Sequence, residues 1–266
     1  MMRDLRVTLV QHELAWESPG DNRDQFAARL AQHRPETDLI LLPEMFTTGF
    51  SMNALANAEA PGGPSEIWMR AIARDYRCAV AGSVAVKDGP GVYNRLLFVT
   101  PDEVSIYDKR HLFRMAGEHQ RYRPGRERVV LEWRDWRIKP EVCYDLRFPV
   151  FSRNRDDYDL LFYVANWPAP RAGHWRTLLQ ARAIENLACV AGVNRLGRDA
   201  NGLSYVGDSL AIDAQGNVCL DLQDRDDIAT VAFSGAALCQ YREQFPAHLD
   251  ADEFALRPGL DEGAPG

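Results

Sequence analysis

Short, wholly apolar runs alternating with amphipathic stretches constrain this chain most. Leu39–Leu42, Leu160–Val164 and Val190–Asn194 are brief and almost without polar residues. Strands buried on both faces read this way, and such strands lie in sheets covered by helices or by a second sheet. Around them stand alternating or apolar strand-like segments: Leu5–Val10, Ala79–Val86, Arg95–Thr100, Val104–Tyr107, Val129–Trp133, Trp136–Val142 and Ile228–Phe233. Ser209–Leu222 reads as a hairpin turning at Ala214–Asn217. Helical spacing marks Asp21 to about His33, with Asp21 or Asn22 as N-cap, and Ser65–Tyr76. It also marks Gly173–Leu187, whose stripe is Trp175, Leu178, Leu179 and Ala183, and Gly235–Phe245. Two similar β-α-β-α-β-β half-units follow one another with no low-complexity linker. The expectation is one α/β domain over residues 1–246, built on two sheets with helices outside. An acidic tail, 247–266, is expected to be an arm or disordered.

The chain of 266 residues, 46% hydrophobic, can bury a substantial core. A net charge of −7 and a pI near 5.4 argue against nucleic acid or an anionic membrane as main partner. No apolar run approaches the roughly 20 residues that span a bilayer, and no signal-peptide pattern opens the chain, so a cytoplasmic protein is expected. Five scattered cysteines without a CxxC pair suit reduced thiols better than disulfides or zinc. Cys78, Cys189, Cys219 and Cys239 sit in apolar or amphipathic runs and read as core. Cys143 differs, because it stands where the strand Trp136–Val142 breaks into the polar segment Tyr144-Asp145-Leu146-Arg147.

In open α/β sheets, functional groups gather beyond the carboxyl ends of strands. Three such exits carry chemistry: Glu44 after Leu39–Leu42, Lys109 after Val104–Tyr107, and Cys143. A thiol of pKa about 8.5 gains reactivity from a neighbouring base or cation, and the three exits together supply both. Singly, each has a structural reading: a helix N-terminal acid, a solvated lysine, a buried thiol. Pro140, three residues before the cysteine, removes a ladder hydrogen bond and points to an edge or bulge.

LLPEMFTTGF, YDKRHLF and EVCYDLRFP, in that order, resemble the three catalytic motifs of the nitrilase superfamily of carbon–nitrogen hydrolases. The resemblance runs from the first strand to the hairpin near Gly216. It implies a Glu44–Lys109–Cys143 triad, and a four-layer αββα sandwich that pairs into an eight-layer homodimer. A second glutamate of the family is similar to Glu118 in RMAGEHQRYRPG. CYDLRFP, ANWPAPRAGHW and QARAIENLACVAGVNR look most like the ω-amidase branch, whose substrates are terminal amides of α-keto acids. A true nitrilase or a deaminated-glutathione amidase is the runner-up. The implied chemistry requires no metal or cofactor, and the six histidines show no HExxH-like spacing.

A dicarboxylate product asks for a carboxylate reader, and arginine suits it by its bidentate fork. Arg147 is the first candidate, with Arg171 and Arg176 behind it; Arg147 paired to Asp145 is the structural alternative. Tyr144 would offer its backbone N–H to an oxyanion. Asn166 and Trp167 would line the pocket, with Phe46 and Phe113 as apolar wall. His111 and His119 flank the lysine loop and are expected to support rather than react.

Overall fold

The computed structural model describes residues 2–256. In chain order the first sheet contributes β1 (Leu5–Gln11), helix α1 (Pro19–His33), β2 (Leu39–Leu41), a short α2 (Ala54–Asn57) and α3 (Pro64–Tyr76). It continues with β3 (Ala79–Asp88), β4 (Gly91–Val99), β5 (Val104–Asp108) and a short α4 (Glu118–Arg121). The second half holds β6 (Leu131–Trp133), β7 (Trp136–Val142), α5 (Pro149–Ser152), β8 (Leu160–Ala165), α6 (Ala172–Asn186) and β9 (Cys189–Asn194). A small hairpin, β10 (Leu196–Arg198) and β11 (Ser204–Val206), precedes β12 (Leu210–Ile212), β13 (Val218–Asp221), β14 (Asp227–Phe233) and α7 (Gly235–Gln244).

Two six-stranded mixed sheets result, ordered β14-β1-β2-β3-β4-β5 and β13-β12-β9-β8-β7-β6. The expected αββα sandwich is the architecture found. Its sidedness explains the unbroken apolar runs. Leu39 and Leu41 face the core between the sheets, whereas Ile40 and Leu42 face the layer holding Phe26 and Leu30 of α1 and Met69 and Ile72 of α3. Strand side chains alternate faces, so a strand roofed on both sides has no polar position to spare. Across the inner layer Phe98 meets Phe162 with ring centroids 6.5 Å apart, and Trp136 meets Phe233 at 6.4 Å. On the outer face of the second sheet, Trp175, Leu179 and Ala183 of α6 are buried. Gly192 of β9 admits that helix, because a Cβ there would lie 2.6 Å from Leu179 and 2.7 Å from Trp175.

Several boundaries move for physical reasons. Helix α1 begins at Pro19, a residue suited to the first helical turn. Asn22 is therefore not a cap. It is buried in the helix, accepting from the Ala15 N–H and donating to the carbonyls of Ala15 and Thr47. Strands β3 and β4 form a longer hairpin than alternation suggested, pairing out to Asp88 and Gly91. Pro140 is tolerated because β6 pairs with β7 only as far as Ile138; among the described residues its strand partner is Phe162 of β8 alone. Cys78 and Cys189 are buried as expected, but Cys219 and Cys239 are exposed. The first of these lies on the edge strand β13 and the second on α7, which buries only Gly235 and Leu238.

After α7 the chain packs back on the domain. Arg155 stacks over Phe254 at 4.8 Å, and Leu256 lies against the inner core cluster. The remainder of the expected arm, 257–266, lies outside the described residues. No helix among the described residues is long and apolar enough to cross a membrane.

Candidate active site

Strands β1, β2 and β3 are mutually parallel, and β5 regains that direction through two antiparallel pairings. Strands β7, β8 and β9 are likewise parallel to one another. Residues leaving the carboxyl ends of β2, β5, β7 and β8 meet around one cavity of about 300 Å³, which Lys109, Cys143, Tyr144, Arg147, Asn166 and Trp167 help to line. Gly125 lets the lysine loop close behind β5: its N–H donates to the Lys109 carbonyl at 2.9 Å, and a Cβ there would strike the Asp108 carbonyl.

Lys109 is buried between two buried carboxylates. Its Nζ donates to Glu44 Oε1 at 2.9 Å and reaches Glu118 Oε1 and Oε2 at 3.1 and 3.0 Å. Burial opposes the ammonium charge, but Glu118 and Glu44 more than offset it and raise the lysine pKa above its ordinary value. Glu118 is itself held above the usual carboxylate range, by burial first and by Glu44 next, against the pull of Lys109. It is fixed by the Phe113 N–H at 2.6 Å. Glu44 is fixed from the other side. The Asn166 N–H donates to Glu44 Oε2 at 2.8 Å, and Asn166 Nδ2 donates to the Glu44 carbonyl.

Cys143 follows the last residue of β7 with φ of +45°. For a residue with a side chain, that left-handed conformation costs on the order of 1 kcal/mol. The turn aims a 9% exposed thiol into the cavity instead of along the strand. Burial pushes its pKa well above the ordinary thiol value, the Glu44 charge adds to this, and Lys109 offsets only part. Burial and the Glu44 charge thus both favour the protonated thiol over a standing thiolate.

The family model described as carbon-nitrogen hydrolase matches residues 6–243. The chain belongs to the carbon–nitrogen hydrolase family. It is 51% identical over 257 residues to the omega-amidase YafV of Escherichia coli K12, covering 96% of this chain and 100% of that one. It is 30% identical over 250 residues to the 2-oxoglutaramate amidase of Bacillus subtilis, covering 92% and 96% respectively. Among solved structures, XC1258 of Xanthomonas campestris superposes with a TM-score of 0.94 at 50% identity, over 96% of this chain and 100% of that one. That protein is described as a CN-hydrolase superfamily member with an arsenic adduct in its active site.

Not every anticipated residue of this carbon–nitrogen hydrolase reaches the cavity. Phe113, Tyr144, Asn166, Trp167, Arg147 and Arg171 line it. Phe46 does not. Met45, at φ of +46°, turns the chain so that Phe46 points back under the helices, 5.9 Å from Phe26 and 5.7 Å from Trp68. The wall it was expected to form is supplied by Phe50 and Met52. Arg176 is committed elsewhere, to Asp208 at 2.7 Å and Asp221 at 2.6 Å. Arg147 does not pair with Asp145. Its guanidinium lies 4.8 Å over the Trp167 ring, with Nη2 donating to His174 Nδ1 at 3.0 Å.

Asn94 on β4 was not anticipated, and its Nδ2 donates to Glu44 Oε1 at 2.8 Å and to Glu118 Oε1 at 3.3 Å. Asp199, Asn201, Leu203 and Tyr205, on and between β10 and β11, also line the cavity and were not foreseen. Asn166 Oδ1 is buried with no partner among the described residues. No group of three or more His, Cys, Asp or Glu side chains among them could hold a metal ion.

Asp145 keeps the lysine loop and the cysteine turn in register. It accepts from the Val142 N–H at 3.0 Å, Tyr107 OH at 2.7 Å, the His111 N–H at 2.9 Å and His111 Nδ1 at 2.7 Å. His111 also stacks on Phe148 at 3.9 Å, which is the supporting role expected of it; His119 is exposed. Burial alone would raise the Asp145 pKa, but His111 and the other donors hold it below the usual carboxylate range. A depressed carboxyl contributes stability above its unfolded pKa of about 4 and loses it as pH falls through the folded value. Asp145→Asn should therefore cost about 2 to 4 kcal/mol at pH 7. The variant and parent should converge as pH drops below about 4. Urea midpoints at pH 7 and near pH 3.5 measure this; a gap equal at both would show that the charge is not what matters.

Proposed function

We propose that this hydrolase removes the terminal amide of small α-keto acid amides, α-ketoglutaramate and α-ketosuccinamate, releasing ammonia and the dicarboxylate through a cysteine thioester. The observation that carries the reading is the convergence of Lys109 and Cys143 on a cavity that also holds Arg147, with Glu44 buried behind and bonded to the Lys109 ammonium. The relatives named omega-amidase and 2-oxoglutaramate amidase support the substrate class.

In this reading Glu44 takes the proton from Cys143 as the sulfur adds to the amide carbon. The carbonyl oxygen becomes an oxyanion stabilised by the Lys109 ammonium and the Tyr144 N–H. Glu44 then gives its proton to the departing nitrogen, the C–N bond breaks, and ammonia leaves a thioester. Water enters, Glu44 takes one of its protons, and the hydroxide adds to the thioester carbon. Collapse breaks the C–S bond, the proton returns to sulfur, and the carboxylate product departs. A thiol that rests protonated beside its base suits this sequence, since no thiolate need persist between turnovers. Glu118 and Asn94 hold the lysine and Glu44 in place.

Amide rather than nitrile substrates are favoured by Asn166. Its Nδ2 is committed to the Glu44 carbonyl, so its buried, unpartnered Oδ1 is an acceptor. An amide –NH2 can satisfy that acceptor, whereas a nitrile has no N–H to offer. Ammonia release from α-ketoglutaramate, a matched nitrile and a longer amide tests the whole reading. Absence of turnover on α-ketoglutaramate, with turnover on either of the others, would transfer the assignment to a nitrilase or another amidase.

Arg147 reads the distal carboxylate, its guanidinium held 4.8 Å over the Trp167 ring. Arg147→Met should raise KM for α-ketoglutaramate about tenfold or more, with kcat within a factor of about three. Steady-state kinetics on this substrate and on a neutral amide of equal length separate the effects. An equal rise on both would remove Arg147 from carboxylate reading.

A further inference from the structure

The strand that delivers Cys143 carries a second buried ion pair, which the proposed chemistry leaves unused. Lys139 and Glu141 are both fully buried, and Lys139 Nζ donates to Glu141 Oε1 at 2.6 Å. Trp136, Ile138 and Val142 of β7 belong to the inner core, so the intervening Lys139 and Glu141 face the opposite, outer side. There Glu141 Oε2 accepts from Ser152 Oγ at 2.7 Å, eleven residues further along the chain. Ser152 is held in turn, its Oγ accepting from Tyr163 OH at 3.0 Å and its carbonyl from Tyr158 OH at 2.6 Å. The Lys139 ammonium also lies 4.3 Å over the ring of Phe151.

These contacts bracket the cysteine. Strand β7 enters the turn at Val142, the chain passes through Cys143 in its positive-φ conformation, and it returns through α5, whose last residue is Ser152. Glu141 is joined to that return point, so both ends of the strained turn are tied behind the cavity. A buried ion pair is a poor device for stability, because well-packed apolar replacements are often neutral or stabilising. Its position directly behind the turn supplies a different use.

We propose that Glu141, oriented by Lys139 and closed onto Ser152, is a positioning residue that holds the Cys143 sulfur in its attacking position. Lys139 aligns the carboxylate through its 2.6 Å contact, and the Glu141–Ser152 hydrogen bond is the closure itself. The inference rests on Cys143 being the nucleophile.

Two double variants separate the closure from the charge. Lys139→Met with Glu141→Gln removes both charges but keeps an amide oxygen that can accept from Ser152. Lys139→Met with Glu141→Leu removes the acceptor as well. The first is expected to keep kcat within about threefold, and the second to lose up to about 100-fold in kcat with KM within twofold, as a displacement near 1 Å would produce. Ser152→Ala, which deletes one hydroxyl and leaves the ion pair in place, is expected to follow the second. The rate at which iodoacetamide alkylates Cys143, read by peptide mass, should fall in parallel. That measurement needs no assumption about substrate, whereas Cys143→Ala tests the nucleophile separately. Unchanged kcat and alkylation in Ser152→Ala would overturn the proposal. So would equal losses in both double variants, or losses across the set that merely track melting temperature.

Discussion

Cys143→Ala is expected to yield a folded protein that has lost about 10⁴- to 10⁶-fold in amide turnover, the scale on which removal of a nucleophile acting with its base and oxyanion donors is felt. The change deletes one sulfur from a side chain that already touches the cavity, so little packing is lost. Alanine keeps a Cβ at φ of +45° and inherits the strain; Cys143→Gly removes it and should melt no lower than the alanine variant. No other cysteine can take over. Cys78 is core, with its thiol pushed up to about 12 by burial, and none of Cys78, Cys189, Cys219 and Cys239 lines the cavity. The measurement is ammonia release under saturating substrate, beside a melting curve. Turnover within a hundredfold of the parent in a folded alanine variant would sink the thioester route.

How far the site could be read from sequence depended on whether each residue carried a local signal. Glu44, Lys109 and Cys143 each interrupt an apolar run with a polar group at its exit, and the topology brings those exits to one end of the sandwich. Asn94 carried no such signal. It sits inside the hairpin strand β4 and reaches Glu44 and Glu118 only because β4 lies between β3 and β5. Phe46 and Phe50 look interchangeable in PEMFTTGF. The positive φ values at Met45 and Gly49 decide which enters the helix layer and which faces the lysine, where Phe50 lies 5.0 Å from Nζ. Cys219 and Cys239 misled because an edge strand and a lightly buried helix can carry apolar residues without covering them. The helices and inner strands were legible because burial on a known face enforces periodicity. The cavity's far wall was not, since it comes from the small β10–β11 hairpin and the loop it encloses.

Lys109→Met tests a different claim, that the buried lysine is at once the oxyanion's partner and the counter-charge that lets two carboxylates share the site. Loss of one preorganised donor should lower kcat about 100- to 1000-fold. The structural effect should be as clear. Removing one member of a buried ionic cluster leaves charge uncompensated and costs about 3 to 5 kcal/mol. In the parent, Lys109 is raised above its unfolded pKa, so its contribution is complete below about pH 10 and is lost only as pH rises through the folded value. Without it, burial and the mutual repulsion of Glu44 and Glu118 act unopposed. Glu118, already raised in the parent, must then move further upward. A carboxyl with a raised folded pKa favours the native state below its unfolded pKa of about 4.3 and loses that advantage as pH climbs through the folded one. The variant should therefore weaken as pH climbs above about 5, opposite in sign to the Asp145 contribution, and more steeply than the parent, whose Glu118 is raised less because Lys109 still opposes the shift. Urea denaturation across that range measures it. Lys109→Arg should not restore activity, because a planar five-donor fork cannot occupy a 1% exposed site shaped for one nitrogen. A flat pH–stability curve in Lys109→Met, or kcat within tenfold of the parent, would mean that the lysine serves neither role.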